Sequence, residues 1–500
     1  MKGKVFLVGA GPGDFGLITL KGLECIRKAD VLVYDRLASG EFLNETKEGC
    51  EYIYVGKKSS NHTKTQDEIN EIIYQKAKEG KVVTRLKGGD PYVFGRGGEE
   101  GEYLFDRDIK FEVVPGISSS IGGLAYAGIP ITHRNYASSF HVITGHLKDD
   151  NQELNWKALS EVNGTLVFLM GMSNLKKITE KLIENGKDKN TAVAIVNWAT
   201  RPEQRVVQGE LHNIVEIVEQ EGIGSPSVIV VGNVATLRDK LNFFEEKPLF
   251  GKNIVITRSR AQSSSLVKSI EELGGRALEM PSIKIKKIEN NEKLERSLEN
   301  IKKYDYIVFT SANGVDIFFE ELFNKGLDSR ALGNCKIAVI GKGTEERLLS
   351  FGLRADIVPA RAIGEALLEE LEKVVDNNCN VLIPRAEGAR RLLVEELSKV
   401  CEVEEVITYT TVKDSPNKDE LLSKLMENKV DYITFTSSST VKNFIEIIGK
   451  ENIELLENVK CISIGPITSK TAKELGVKIY READESSIEG VLETIINEEE

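Results

Sequence analysis

The 500-residue chain is expected to be an α/β protein built from several lobes, and three observations carry that expectation. Short β-branched runs alternate with helical patterns from one end to the other. Glycine-containing turns follow the apolar runs, as they do where a strand hands over to a helix. The second half also contains an internal match: Asp305–Phe318 (DYIVFTSANGVDIF) and Asp431–Phe444 (DYITFTSSSTVKNF) align at an offset of 126 residues. A composition of 41% hydrophobic and 29% charged residues is that of globular chains and excludes disorder as the dominant state. At roughly 150 residues per domain the length suggests about three compact units.

The first strand is expected at Val5–Val8, and the run to Ala10 is too short for a signal-peptide core. Further strands are expected at Val31–Tyr34, Val82–Leu86, Phe111–Val114, Phe140–Thr144, Leu166–Met170 and Val228–Val231, in mostly parallel sheets. The stretch Asn242–Gly251 (NFFEEKPLFG) interrupts this rhythm with Pro248 and Gly251, so a boundary is placed near residue 248, with a linker over 244–251. Lys252–Thr257 starts the rhythm again. Two more pairs agree with the internal match, NIVITR from Asn253 with NVLIPR from Asn380, and KIAVIG from Lys336 with KCISIG from Lys460. A period this long means two similar lobes rather than a solenoid.

The formal charge of −12 divides as −3 over residues 1–250 and −9 over 251–500, and neither half has the basic excess of a nucleic-acid binder. An anionic small molecule remains compatible with it, because a few convergent arginines set the local potential. Six dispersed cysteines and five histidines show no metal-ligand spacing, so no metal is expected. With no apolar run of spanning length, no membrane partner and a cytoplasmic location are expected.

Three loops carry the chemistry of the first half. Gly9–Gly16 (GAGPGDFG) satisfies the dinucleotide fingerprint at Gly11, Gly13 and Gly16, and Asp35 ends the next strand about 20 residues on, where a ribose-binding acid would stand. This alone points to a nicotinamide enzyme, although Pro12 stiffens the turn and the helix is expected only after Leu17. The second loop runs from Lys87-Gly-Gly-Asp-Pro91 to Phe94-Gly-Arg-Gly-Gly-Glu-Glu100, and the third is Pro115-Gly-Ile-Ser-Ser-Ser120. Bare turns have little need of Asp90, Arg96 and Glu99 among their glycines. Loops at the carboxyl ends of successive strands converge where open α/β sheets bind ligands.

VGAGPGD at 8–14, VYDRL at 33–37, RLKGGDPYVFGRGGEE at 85–100, VVPGISS at 113–119, GIPITHR at 128–134 and TGHL at 144–147 together resemble the uroporphyrinogen-III C-methyltransferases of the tetrapyrrole methylase family over about residues 1–243. The resemblance implies a two-domain α/β fold (about 1–115 and 116–243), a homodimer, and S-adenosylmethionine as methyl donor. It places donor contacts on Pro12, Gly88, Gly89, Asp90, Val93, Ser118, Ser119, Met170 and Ala199. Ser118-Ser119 stands where the family usually has Thr-Ala, and Ala199 where it often has Gly; both changes keep the residues small. Asp35 and Lys57 match the family's acid/base positions, which replaces the ribose role, while an Asp capping a turn is the bland alternative for Asp35. A tetrapyrrole with eight carboxylates calls for cationic contacts, with Arg96, Arg134 and Lys148 as candidates and Glu99 beside them.

In the second half Arg258 and Arg385 each follow a strand, and hydroxyl-rich loops begin at Thr310-Ser311 and Thr436-Ser437. A single such Ser is most simply a helix cap; four loops together suit an anionic ligand, in an enzyme or in a bilobed binding protein. TSANGV at 310–315, IGKGT at 340–344, VPARAIGEALLEEL at 358–371, IPRAEGARRLL at 383–393 and FTSSSTV at 435–441 resemble uroporphyrinogen-III synthase. That implies a bilobed α/β fold with a two-stranded connection, lobe A being 252–285 plus 412–500 and lobe B 286–411. It also implies ring closure of hydroxymethylbilane, with substrate contacts expected at Arg258, Ser311, Arg385 and Ser437. Tyr409 matches a family tyrosine proposed as the acid, with packing as the alternative.

Overall fold

The computed structural model describes residues 3–35, 40–56, 64–146, 153–258, 260–280, 283–413 and 418–499. Among the described residues, twenty strands form four five-stranded sheets. They are β1 (Lys4–Gly9), β2 (Val31–Tyr34), β3 (Glu51–Tyr54), β4 (Val82–Lys87), β5 (Lys110–Val114), β6 (Phe140–Thr144), β7 (Thr165–Leu169), β8 (Ala192–Asn197), β9 (Arg205–Glu210), β10 (Ser227–Val231), β11 (Asn253–Ile256), β12 (Arg276–Glu279), β13 (Ile283–Lys287), β14 (Tyr306–Phe309), β15 (Lys336–Val339), β16 (Asn380–Ala386), β17 (Glu402–Lys413), β18 (Tyr432–Phe435), β19 (Lys460–Ser463) and β20 (Arg481–Glu482).

The first sheet, ordered β3-β2-β4-β1-β5, is parallel throughout. Both of its faces are covered: Val5, Leu7, Val31 and Val33 pack into one core and Val8, Leu32 and Leu86 into the other. Double burial explains why these strands read as continuous apolar runs. The second sheet, β6-β7-β10-β8-β9, corrects the expectation of parallel pairing. Only β6 and β7 run parallel; β7 with β10, β10 with β8, and β8 with β9 are antiparallel. The loop from Trp198 to Gln204 is too short for the crossover that parallel neighbours need.

The other two sheets are ordered β12-β11-β18-β19-β20 and β13-β17-β16-β14-β15. In the latter, Ile307 and Phe309 enter one core and Tyr306 and Val308 the opposite one, so β14 is again buried on both sides. Strand β13 pairs antiparallel with β17, from Ile283 opposite Lys413 to Lys287 opposite Tyr409. Contacts divide the chain into two compact units, residues 1–254 with 268–277 and 495–500, and residues 255–267 with 278–494.

Candidate functional site

In the first unit the three glycine loops are locked together through their backbones. Gly11 and Gly89 form an antiparallel bridge, the Gly89 N–H donating to the Gly11 carbonyl at 2.7 Å. A Cβ on Gly116 would lie 2.3 Å from the Gly89 carbonyl oxygen, and one on Gly9 would lie 2.6 Å from both Gly116 and Gly89. Only glycine permits this approach. Asp90 fastens the junction: its carboxylate accepts the Gly116 N–H at 3.0 Å and the Tyr92 N–H at 2.8 Å. Asp14 does the same for the first loop, taking the Gly16 N–H at 2.7 Å and the Tyr126 hydroxyl at 2.7 Å, while its own N–H donates to Thr200 at 3.0 Å. Burial and this carboxylate push the Tyr126 hydroxyl well above its ordinary range.

Several expected donor contacts come together here. A Cβ on Gly122 would meet Pro12, one on Gly123 would meet Ala199 and Ser119, and one on Gly89 would reach Ser118 and Ser119 only at van der Waals distance. The result is a junction walled by small residues. Val93 follows Asp90 and is exposed, and Met170, directly after β7, is an exposed residue in the left-handed region. Five non-glycine residues at these loops hold positive φ: Phe94, Arg96, Met170, Trp198 and Thr200. Such conformations cost free energy and persist where surrounding structure over-determines them, which is common at ligand sites. Trp198 and Thr200 were not anticipated, and nothing in their sequence context signals the strain.

The fingerprint glycines do not face a helix terminus. A short 3₁₀ turn occupies Phe15–Leu17, and the first α-helix starts at Leu20 with Thr19 accepting the Gly22 N–H at 3.1 Å. A pyrophosphate seat would need that terminus directly after the glycines. Asp35 is held instead by Arg85, whose guanidinium donates to its carboxylate at 3.2 Å. Arg85 also donates to Glu100 at 3.3 Å, and Lys87 donates to the same Glu100 oxygen at 2.7 Å. Arg85, Lys87 and Glu100 are almost wholly buried, and the second Glu100 oxygen has no partner among the described residues. Desolvation, with Arg85 nearby, lowers the Lys87 ammonium from its ordinary value despite Glu100. The sequence reading missed this network, though the RLK and GGEE motifs contain it.

Arg96 and Glu99 form a bidentate pair at 2.9 and 2.6 Å on the surface, and Arg134 is exposed. Lys57 and Lys148 lie outside the described residues.

In the second unit the structure gathers Ser311, Arg385 and Tyr409 on one sheet. Ser311 caps helix Ala312–Asn324 by accepting the Gly314 N–H at 3.0 Å, and its hydroxyl shares a 2.8 Å hydrogen bond with the Tyr409 hydroxyl. Arg385 is buried and pairs with Glu405 at 3.1 Å. Ser437 and Arg258 belong to the other sheet. Ser437 caps helix Ser438–Ile448 and bonds Ser439 at 2.8 Å, and burial lowers the Arg258 guanidinium from its ordinary value. Among the described residues no cluster of His, Cys, Asp and Glu could hold a metal, and no helix is long and apolar enough to cross a membrane.

Residues 4–215 match the family of Tetrapyrrole (Corrin/Porphyrin) Methylases and residues 264–493 match Uroporphyrinogen-III synthase HemD. The chain is 42% identical over 496 residues to the porphyrin biosynthesis protein HemD of Ruminiclostridium josui, covering 99% of this chain and 98% of that one. It is 40% identical to the uroporphyrinogen-III C-methyltransferase of Bacillus subtilis over 66% of this chain and 68% of that one. A siroheme synthase of Yersinia enterocolitica is 53% identical over 243 residues, and this chain spans about half (51%) of its length. Among solved structures, uroporphyrin III C-methyl transferase from Thermus thermophilus covers 47% of this chain and all of that one at 36% identity, with a TM-score of 0.41.

Proposed function

From the premise that this chain belongs to the proteins joining a tetrapyrrole methylase domain to a uroporphyrinogen-III synthase domain, we propose that it is a bifunctional enzyme of tetrapyrrole biosynthesis. Residues 252–500 close hydroxymethylbilane to uroporphyrinogen III with inversion of the last ring. Residues 1–243 transfer two methyl groups from S-adenosylmethionine to give precorrin-2, on the way to sirohaem or cobalamin. The observation that carries this reading is the backbone junction of Gly11, Gly89 and Gly116 inside the methylase match, in a chain whose other half carries the Ser311–Tyr409 pair inside the synthase match.

The methyl donor supplies an electrophilic methyl group, and the loop junction suits it because small side chains leave room against bare backbone. Gly88, Gly89, Ser118, Ser119 and Ala199 offer that surface, Pro12 and Asp90 hold it rigid, and Val93 and Met170 flank it. The protein's work in this step is positioning. Methyl transfer to a substituted pyrrole carbon leaves the macrocycle cationic, and a proton must then leave it to restore neutrality; Asp35 accepts that proton while Arg85 holds its carboxylate in place. Lys57 is the second acid/base group, and Arg96, Glu99 and Arg134 meet substrate carboxylates and ring N–H groups. The methylase half is proposed to form the homodimer, and the protein to act in the cytoplasm.

In the ring closure, the terminal hydroxyl leaves as water once protonated, the substituted carbon of the last pyrrole ring attacks the methylene carbon of the resulting azafulvene, and the spiro form fragments and re-closes with loss of a proton. Tyr409 supplies the proton, and Ser311 orients its hydroxyl. Arg258, Arg385 and Ser437 contact the substrate.

Incubating purified protein with hydroxymethylbilane, with and without S-adenosylmethionine, tests both halves. The type III isomer and a doubly methylated product are expected. Exclusive formation of the type I isomer removes the synthase assignment, and no methyl incorporation into uroporphyrinogen III removes the methyltransferase assignment. Tight NAD binding would restore the dehydrogenase alternative.

A further inference from the structure

A cavity of about 230 Å³ opens at the carboxyl ends of β14, β15 and β16, where Thr310, Ile340 and Arg385 follow or end their strands. This end of a parallel sheet is where doubly wound folds bind ligands. Its walls are mainly apolar, including Ile340, Ile383, Leu392 and Leu393, and Arg385 is its buried charge. The cavity is smaller than the roughly 300–1,000 Å³ that accommodate a drug-sized molecule, so it suits one small ring with a substituent and not a chain of four.

Arg385 is held there by local design. The β16–β17 register slips at Arg385/Ala386, so that Arg385 faces Ile407 while Ala386 faces Tyr409. Bulges of this kind re-aim a side chain near functional sites. One terminal nitrogen of Arg385 pairs with Glu405 at 3.1 Å and the other donates to the Ala389 carbonyl, while its Nε is buried with no partner among the described residues. Buried donors are nearly always satisfied. Arg391 also pairs with Glu405, at 3.1 Å, and Glu365 at the cavity wall is neutralised by Arg390. Three guanidinium groups therefore face two carboxylates, leaving one positive charge for an incoming anion.

Resting on the synthase reading, we propose that this cavity is a subsite for a single pyrrole ring bearing a carboxylate arm, with the Arg385 guanidinium as the anion contact. A ring lodged there would fix one end of a flexible linear substrate, which is the positioning that ring closure with inversion demands.

The test uses 1H-pyrrole-3-acetate as the probe with the full-length protein, followed by NMR, alongside ring-closure kinetics. Wild type is expected to bind the acid saturably and its neutral amide at least tenfold more weakly. Leu393→Trp, which puts an indole into the cavity, is expected to abolish probe binding and raise KM for hydroxymethylbilane at least tenfold, with methyl transfer unchanged and the far-ultraviolet circular dichroism of the folded protein retained. Arg385→Lys is expected to weaken acid binding while leaving amide binding unchanged. No binding to wild type, equal binding of acid and amide, or equal binding to Leu393→Trp overturns the subsite. Should probe binding follow this pattern in a wild type that forms no type III ring, the subsite stands and the synthase reading falls.

Discussion

Glu100 illustrates how far one residue can constrain a site. A single oxygen receives Lys87, Arg85 and Gln66, and through Arg85 it reaches Asp35. Removing its charge leaves Lys87 buried without a carboxylate partner and Arg85 with Asp35 alone, a change that costs about 3–5 kcal/mol when one partner of a buried pair is lost. Urea denaturation of Glu100→Gln should show a loss of that order, and Lys87→Met added to it should recover part of the loss. Tyr409 poses a cleaner question, since packing and proton donation predict different outcomes. Tyr409→Phe retains the ring in its buried position; as the acid it should lose about 100-fold or more in ring-closure kcat, whereas a packing residue would leave the rate within twofold. Ser311→Ala should lose less than Tyr409→Phe, with Ser311→Thr restoring activity. At Glu404, burial favours the neutral form, but hydrogen bonds from Lys303, Tyr304 and Ser297 outweigh it and hold the carboxyl at about 2. A depressed folded value means that this contribution is complete above the unfolded value of roughly 4.3 and is lost as pH falls toward 2. Glu404→Gln should therefore flatten the stability of this unit over that window in acid titrations followed by circular dichroism.

At the scale of the element, the glycine loops are where sequence and geometry agree most closely. Gly116→Ala would place a methyl group 2.3 Å from a carbonyl oxygen of a neighbouring loop, with backbone rather than a flexible side chain as the obstacle. The junction must then open, and methyl transfer should fall by at least 100-fold while the ring-closure activity of the same preparation stays normal. Gly98→Ala is the control from the same region, because a Cβ there meets nothing within 4 Å and the residue has ordinary φ. The helix caps make a smaller contribution: Ser437→Ala should cost about 1 kcal/mol in a thermal melt, the usual value for losing a cap.

For the molecule as a whole, a formal charge of −12 accompanies substrates that are themselves polyanionic, so recognition has to rest on local arginines and backbone N–H groups. Rising ionic strength should increase KM for hydroxymethylbilane without changing kcat, and steady-state kinetics at 50 and 300 mM salt would check it. The strand pattern was legible in the sequence because double burial makes a strand a continuous apolar run: Val31–Tyr34 and Phe140–Thr144 are observed as expected, and most other limits shift by one residue. The α/β class, the loop motifs and the internal match were legible for the same reason, since they are local patterns or repeats of one. Antiparallel pairing in the second sheet was not, because strand direction depends on partners far apart in the chain. The same holds at the sites. Residue types in GAGPGD and RLKGGD announced a ligand loop, but that Gly11 bridges Gly89, that Arg85 ties Asp35 to Glu100, and that Ser311 meets Tyr409 across 98 positions are matters of three-dimensional packing. Local propensity and apolar periodicity are written residue by residue, whereas buried charges and strained backbones are stabilised only by neighbours that folding brings together.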